Sequence, residues 1–314
     1  MAEAGRAFRG AAEISEFSPV IVNRPAREAV GPIRVIAFNA RWGLQLEGII
    51  ECLRRPPLKG ADLILLSEVD LNLRRSLNHD SAAEIARALE MSLAYVPEFA
   101  PRNHATHPAA FMGNALLSSH PIGEVRTIAL PNLRRQRAVR MMAGGPQGVA
   151  AAIKFRGRQL TAGLAHLHSR TAPAGRESQM VRYLEGFPAA GPAIIGGDFN
   201  STTIEIKGSL SMFAAMMKLA LAPRRFRMPI RYEPLFARLA ENNFRLEGAN
   251  VIGQPTFTFS SVIPKWARPK LDWIALRELE AVEGSAVVVP AKIEKFGPRV
   301  SDHDFVMCEV KVQG

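Results

Sequence analysis

Residues 194–201 read Ile194-Ile195-Gly196-Gly197-Asp198-Phe199-Asn200-Ser201. The apolar run from Ala193 to Ile195 predicts a buried strand. Two glycines follow, then an acid and an amide two residues apart. In an extended chain residues i and i+2 point to one face, so Asp198 and Asn200 are expected to aim together just past a strand end. The glycines let another group or a ligand approach the backbone closely there. A carboxylate beside a carboxamide suits activation of water and binding of phosphate oxygens. Taken alone, the stretch also describes a strand that closes in a polar turn.

Working outward, the same pattern recurs. The run Ile33–Phe38 ends in Asn39, Leu63–Leu66 leads to Glu68, and Leu160–Ala165 ends at His166. Leu271 precedes Asp272-Trp273, and Ser301-Asp302-His303 precedes a last apolar run over 304–312. A single acid after a strand is usually solvated. Six such positions converge on one crevice if the strand ends share a sheet edge. Glu68 and Asp302, with Asn39 nearby, are hard oxygen donors and match Mg²⁺. His303 can deprotonate or orient a water if a carboxylate such as Asp272 fixes its ring. Asn200 and His166 can hold phosphate oxygens where charge develops. His104, His107, His120 and His168 lack the spacing of a zinc site.

The 314-residue chain, 47% apolar, can bury a large core. Its net charge of +11 favours a polyanion or a phosphorylated substrate. Two isolated cysteines, Cys52 and Cys308, make no disulfide framework. Neither a secretory leader nor a membrane-spanning helix is expected, and a cytoplasmic protein is expected. Helices are expected over about 44–53, behind a capping box at Ser81–Glu84, from Pro173 to Phe187 (with Met180, Val181, Leu184 and Phe187 on one face), over 209–221 and near 233–241, and a strand over Thr256–Phe259. The strands between 92 and 168 are too many for a purely parallel doubly wound sheet. Residues 1–31 read as a tail or draped segment and 32–314 as one catalytic domain. Within it, 205–235 forms an atypical helical basic insertion.

The ordered set Ala37-Phe38-Asn39, Leu66-Ser67-Glu68-Val69-Asp70, Gly113–Ser118, Ala165-His166-Leu167, Gly196–Asn200, Lys270–Trp273 and Ser301-Asp302-His303 resembles the endonuclease/exonuclease/phosphatase superfamily. The resemblance implies an α+β fold: a four-layer α/β/β/α DNase I-like sandwich of two mixed sheets flanked by helices. It implies a Mg²⁺-dependent phosphoesterase, with Mn²⁺ as a substitute. Glu68 would be the main metal ligand, with Asn39 and Asp302 close to the metal. His303 would pair with Asp272, and Asp198 would orient or activate water. Asn200 and His166 would contact the scissile phosphate, with Asn114 in support. Ser67 stands where the family usually has Gln, and Ala165 where a Thr often precedes the site His. His168 is a second imidazole close by, and the motif position favours His166.

The basic charge suits nucleic acid as substrate, and Arg134, Arg135, Arg137 and Arg140 could track phosphates. The arginine-rich, apolar 205–235 segment offers another reading, a phospholipid hydrolase at an anionic membrane surface. A non-catalytic phosphate-binding module is a third. A monomer is expected.

Overall fold

A computed structural model describes residues 19–27, 31–101, 109–133, 142–155, 157–205, 217, 221–258, 266, 268–297 and 299–311. Most of the expected tail, the Arg134–Arg140 run, His104 and His107, and most of the helix expected over 209–221 lie outside the described residues.

The apolar runs form strands in chain order: β1 (Val20–Val22), β2 (Ile33–Trp42), β3 (Leu63–Leu71), β4 (Ser92–Pro101), β5 (Phe111–Ser118), β6 (Ile122–Ala129) and β7 (Met142–Gly144). They continue as β8 (Gln147–Phe155), β9 (Arg158–Leu164), β10 (Ala193–Asp198), β11 (Asp272–Arg277), β12 (Glu280–Ala281), β13 (Val287–Val289) and β14 (Phe305–Lys311). The helices are α1 (Leu46–Leu53), α2 (Ser81–Ala88), α3 (Pro173–Gly186), α4 (Pro223–Arg227) and α5 (Leu235–Glu241).

One sheet runs β1-β4-β5-β3-β2-β14-β12, with β7 on β4 and β13 on β14; the other runs β11-β10-β9-β8-β6. Both are mixed. The pairs β2–β3 and β9–β10 are parallel, and the other strand pairs are antiparallel. The period of two sorts the layers. Ile194 and Ile274 face the first sheet, in a core with Val35, Ala37 and Leu65. Their neighbours Ile195, Trp273 and Ala275 face outward onto Met180 and Tyr183 of α3 and Leu235 and Leu239 of α5. Ile36, Phe38, Ile64 and Leu66 face the other way, onto Ile49 and Leu53 of α1 and Ile85 of α2. Strands buried on both faces therefore read as unbroken apolar runs. The result is the expected α/β/β/α sandwich.

Local expectations shift in three places. The cap of α2 is Asp80, whose Oδ1 accepts the Ala83 N–H at 3.0 Å, while Ser81 is the first helical residue. In α3 the buried face takes Tyr183 rather than Val181, since the Tyr183 hydroxyl reaches the Val149 carbonyl at 2.8 Å. The strand expected from Thr256 contracts to one bridge between Phe257 and His303.

The topology gathers chemistry at one edge. The C-terminal ends of β2, β3, β4, β9 and β10 meet the N-terminal ends of β5, β11 and β14 there.

Candidate active site

Backbone irregularity aims the side chains at this edge. Both β2 and β3 break register where they reach it, between Asn39 and Trp42 and between Leu66 and Val69. Within these bulges Arg41 and Glu68 have φ of 46° and 53°. A non-glycine residue held in the left-handed region costs about 1–3 kcal/mol, so the surrounding structure must enforce it. The bulge turns Glu68 out of the alternation that buries Leu66. In β10, a Cβ on Gly197 would stand 2.4 Å from the Ala165 carbonyl oxygen. One on Gly196 would meet Leu65 Cδ1 at 2.8 Å across the two sheets. The two glycines let β10 lie close enough for the segment after β9 to continue beside it. There the Leu167 N–H donates to the Asp198 carbonyl at 3.0 Å, which sets His166 next to Asp198.

Asp198 and Asp272 are direct partners across β10–β11. His303 Nδ1 hydrogen-bonds to Asp272 Oδ2 at 2.8 Å, and its Nε2 lies 3.6 Å from Asp198 Oδ2. Asn39 Nδ2 donates to that same Asp198 oxygen at 3.0 Å, and its Oδ1 accepts the Arg41 N–H at 2.9 Å. The Thr256 hydroxyl accepts both the Leu271 and Asp272 N–H groups, at 2.9 and 3.0 Å, and so fixes the start of β11. Phe257 packs on the His303 ring, with centroids 4.8 Å apart.

His166 stands between two acids. Its Nε2 is 3.6 Å from Glu68 Oε1 and its Nδ1 is 3.7 Å from Glu98 Oε2. Glu98 is buried, and its Oε1 accepts the Gln147 N–H at 2.9 Å. Asn114 donates to the Gln147 carbonyl at 3.2 Å, so it props the same segment.

Asn200 departs from the extended-chain expectation. β10 ends at Asp198, Asn200 has φ of 48°, and its N–H donates to Asp198 Oδ1 at 2.9 Å. Its Nδ2 donates to the Leu167 carbonyl at 2.7 Å, which leaves a second amide hydrogen. The two side chains therefore meet through a turn and not through strand alternation. Asp302 is partly exposed and lies 3.6 Å from the Arg41 guanidinium. His168 Nδ1 accepts the Arg170 N–H at 3.1 Å, and its own backbone N–H donates to Gln179 Oε1 at 2.8 Å.

The electrostatics follow from this crowding of acids. Burial works against a charged His303, but Asp272, Asp198 and Asp302 outweigh it and lift its pKa to about 10. His166 is likewise opposed by burial and lifted to about 9 by Glu98, Glu68 and Asp198. Burial raises Asp198 to about 6, against the pull of His303. Asp198, Asp272 and His303 offer donor atoms within 4.8 Å of one another. The 2.8 Å hydrogen bond within that group makes Asp272 and His303 a dyad in its own right. Hard oxygen donors for a cation lie at Glu68, with no arginine or lysine paired to it among the described residues, and at the buried Asp272 Oδ1, which has no hydrogen-bond partner.

Sequence reasoning missed Glu98, Thr256 and Lys270. Glu98 is a lone acid in an apolar strand, and that was its one signal. Lys270 is fully buried with Nζ 4.6 Å from the Trp273 ring centroid, and burial lowers it to about 8.

Residues 36–303 match the model of the Endonuclease/Exonuclease/phosphatase family. Among solved structures, an endonuclease/exonuclease/phosphatase from Beutenbergia cavernae is similar at TM-score 0.61 and 16% identity, over 91% of this chain and 72% of that one. Sphingomyelinase C from Streptomyces griseocarneus is similar at TM-score 0.51 and 15% identity, over 89% of this chain and 99% of that one. D. rerio TDP2 complexed with single-strand DNA product is similar at TM-score 0.53 and 15% identity, over 89% and 99%. No curated protein sequence matches the chain.

Proposed function

Since this chain belongs to the endonuclease/exonuclease/phosphatase family, we propose that it is a divalent-metal-dependent hydrolase of phosphodiesters. One observation carries the reading. Five carboxylates, from Glu68, Glu98, Asp198, Asp272 and Asp302, surround two imidazoles in a crevice that must receive an anionic phosphate. Such an excess of negative charge repels the substrate unless a cation offsets it. The donors are hard oxygens and fit Mg²⁺ or Mn²⁺, with Glu68 as the principal ligand and Asn39 and Asp302 beside it. Asn39 keeps one Oδ1 lone pair for this after binding the Arg41 N–H. A divalent cation bound there would supply charge neutralisation at a phosphoryl oxygen.

The chain's own residues divide the remaining work. Asp198 is largely ionised at neutral pH and takes the proton of the attacking water. Asn39 and the Asn200 N–H hold its two oxygens in place. His303, charged and clamped by Asp272, faces the phosphate and stabilises the charge that builds on it. His166 and the free amide hydrogen of Asn200 bind further phosphate oxygens. The P–O bond to the ester oxygen breaks as the bond to the water oxygen forms; the leaving oxygen takes a proton from solvent, Asp198 later returns its own to solvent, and the products are a phosphomonoester and an alcohol.

Net charge of +11 suits a polyanion, whether nucleic acid or an anionic lipid surface, while the arginine run at 134–140 lies outside the described residues. The test is hydrolysis of bis-p-nitrophenyl phosphate, single- and double-stranded DNA, RNA and sphingomyelin, with Mg²⁺, Mn²⁺ or EDTA. Turnover that survives EDTA, or no turnover of any ester with metal, sinks the reading.

A further inference from the structure

The arginine-rich segment after the Asp198 turn sorts its side chains in an unexpected way. Arg225 and Arg227 turn inward. Arg225 Nε and Nη2 donate to the Thr203 hydroxyl and carbonyl at 3.1 and 2.9 Å, and Arg227 Nε donates to the Gly253 carbonyl at 2.6 Å. Phe226 and Pro229 are buried as well, and the other large apolar residues turn outward. Leu221 is 79% exposed, Met228 48%, Tyr232 46% and Ile230 36%. Ile252, itself 40% exposed, adjoins Gly253, where a Cβ would lie 3.9 Å from Met228 Cγ. Arg224 and Arg231 stand exposed among them.

This face is held firmly against the site. Phe226 is buried, and its carbonyl accepts the Lys270 N–H at 3.0 Å, two residues before Asp272. Glu233 Oε1 accepts the Thr203 N–H at 2.5 Å and pairs with the buried Arg176. Thr203 lies three residues past Asn200, so the underside of the segment and the catalytic turn share anchors.

Scattered exposed apolar side chains need no explanation, but four on one twelve-residue segment, with exposed arginines between them and Ile252 beside Met228, mark an interaction surface. A phosphate-tracking face needs its arginines free and its apolar residues covered, and here two of the four arginines are spent on backbone carbonyls. Exposed apolar side chains with arginines beside them match an anionic bilayer surface, where the former enter the headgroup boundary and the latter meet lipid phosphates. No helix among the described residues is long and apolar enough to cross a membrane, so the contact is with the surface.

We propose that residues 221–232 dock this protein on an anionic lipid surface and present a phosphoester headgroup to the crevice beside them. The choice of substrate rests on the phosphoesterase reading, whereas the docking stands apart from it. Co-sedimentation with phosphatidylcholine vesicles, with and without phosphatidylglycerol, tests the docking directly. The full chain is expected to pellet with the anionic vesicles and to be released by salt. The triple variant L221S/M228S/I230S is expected to bind at least tenfold more weakly. The pair R224Q/R231Q is expected to lose about fivefold per arginine. Both variants should hydrolyse bis-p-nitrophenyl phosphate like the parent, since none of these residues lies in the crevice.

Parent protein that ignores anionic vesicles yet hydrolyses the soluble ester overturns the docking and spares the phosphoesterase. Binding without hydrolysis does the reverse. Variants that bind vesicles normally but lose single-stranded DNA, or that convert a dimeric parent to a monomer in gel filtration, also overturn the proposal, by making this a nucleic-acid or self-association face.

Discussion

The crevice holds two histidines, His303 buried and His166 partly exposed, each with a buried acid behind it, and the two pairs are built differently. His303 and Asp272 share a 2.8 Å hydrogen bond, with the Asp272 backbone held by Thr256 and the ring held by Phe257. His166 and Glu98 stand 3.7 Å apart, and Glu98 Oε2 has no hydrogen-bond partner. One ring is preorganised. The other sits in a slot lined by charge, free to settle on whatever oxygen arrives. Catalytic contacts that are long without substrate commonly tighten when it binds. The difference assigns His303 to the developing charge and His166 to the grip on the ground-state phosphate.

Asp198 touches both halves electrostatically, so its removal should have the largest effect. Asp198→Asn is expected to lower kcat by about 10²–10⁴-fold, the range for a lost general base, with KM little changed. Retention of more than a tenth of the activity would remove Asp198 from the proton transfer. Glu68→Gln should instead raise the Mg²⁺ needed for half-maximal rate, and isothermal titration with Mg²⁺ alone should show weakened binding. An unchanged titration moves the cation elsewhere.

The comparison itself is tested by the two acids. Asp272→Asn removes the charge that clamps a charged His303 and is expected to cut kcat by about 10–100-fold, as for other groups that orient a reacting neighbour. Glu98→Gln should act mainly on KM, by a few-fold, because its histidine is not clamped in the same way. Equal losses of kcat in the two variants would erase the distinction drawn from the distances.

The better-built pair is also the one legible in the sequence. Asp272 and His303 each end or precede an apolar strand, as do Asn39, Glu68, His166 and Asp198, and a polar residue at a strand end needs only one-dimensional reading. The layers were legible for a similar reason, since runs such as Ala193–Ile195 are apolar on both faces. Glu98 was not legible, because its partner lies on the other sheet and no spacing along the chain encodes that. Asn200 was legible in identity and not in geometry, since alternation holds only while the chain stays extended and here φ turns positive. The cap of α2 slipped by one residue because Asp80 and Ser81 are both good caps and only the path of the backbone chooses between them. The outward turn of Met228 and Ile230 was hidden for the same kind of reason: a mixed basic and apolar run does not say which set is spent on anchoring.

The smallest expected effect is on the stability of the metal-free protein, and it separates the two rings by pH. Burial opposes the charge on both, and the acids overcome it, so the folded values lie above the ordinary 6.5, at about 9 for His166 and about 10 for His303. A group whose pKa rises on folding stabilises the fold fully below its unfolded value, and that contribution is lost as pH climbs through the folded one. In EDTA, Tm should therefore fall between about pH 6.5 and pH 10. His166→Gln should remove its share of the fall between about pH 6.5 and pH 9, and His303→Gln its share between about pH 6.5 and pH 10, so that only the second flattens the stretch above pH 9. Asp198 acts in a separate window, because its raised value favours the fold below about pH 4 and that contribution is lost as pH climbs through 6. A Tm flat from pH 6.5 to pH 10 would mean that neither imidazole holds its proton against burial. The charged His303 assigned to the phosphate would then have to be neutral before substrate arrives.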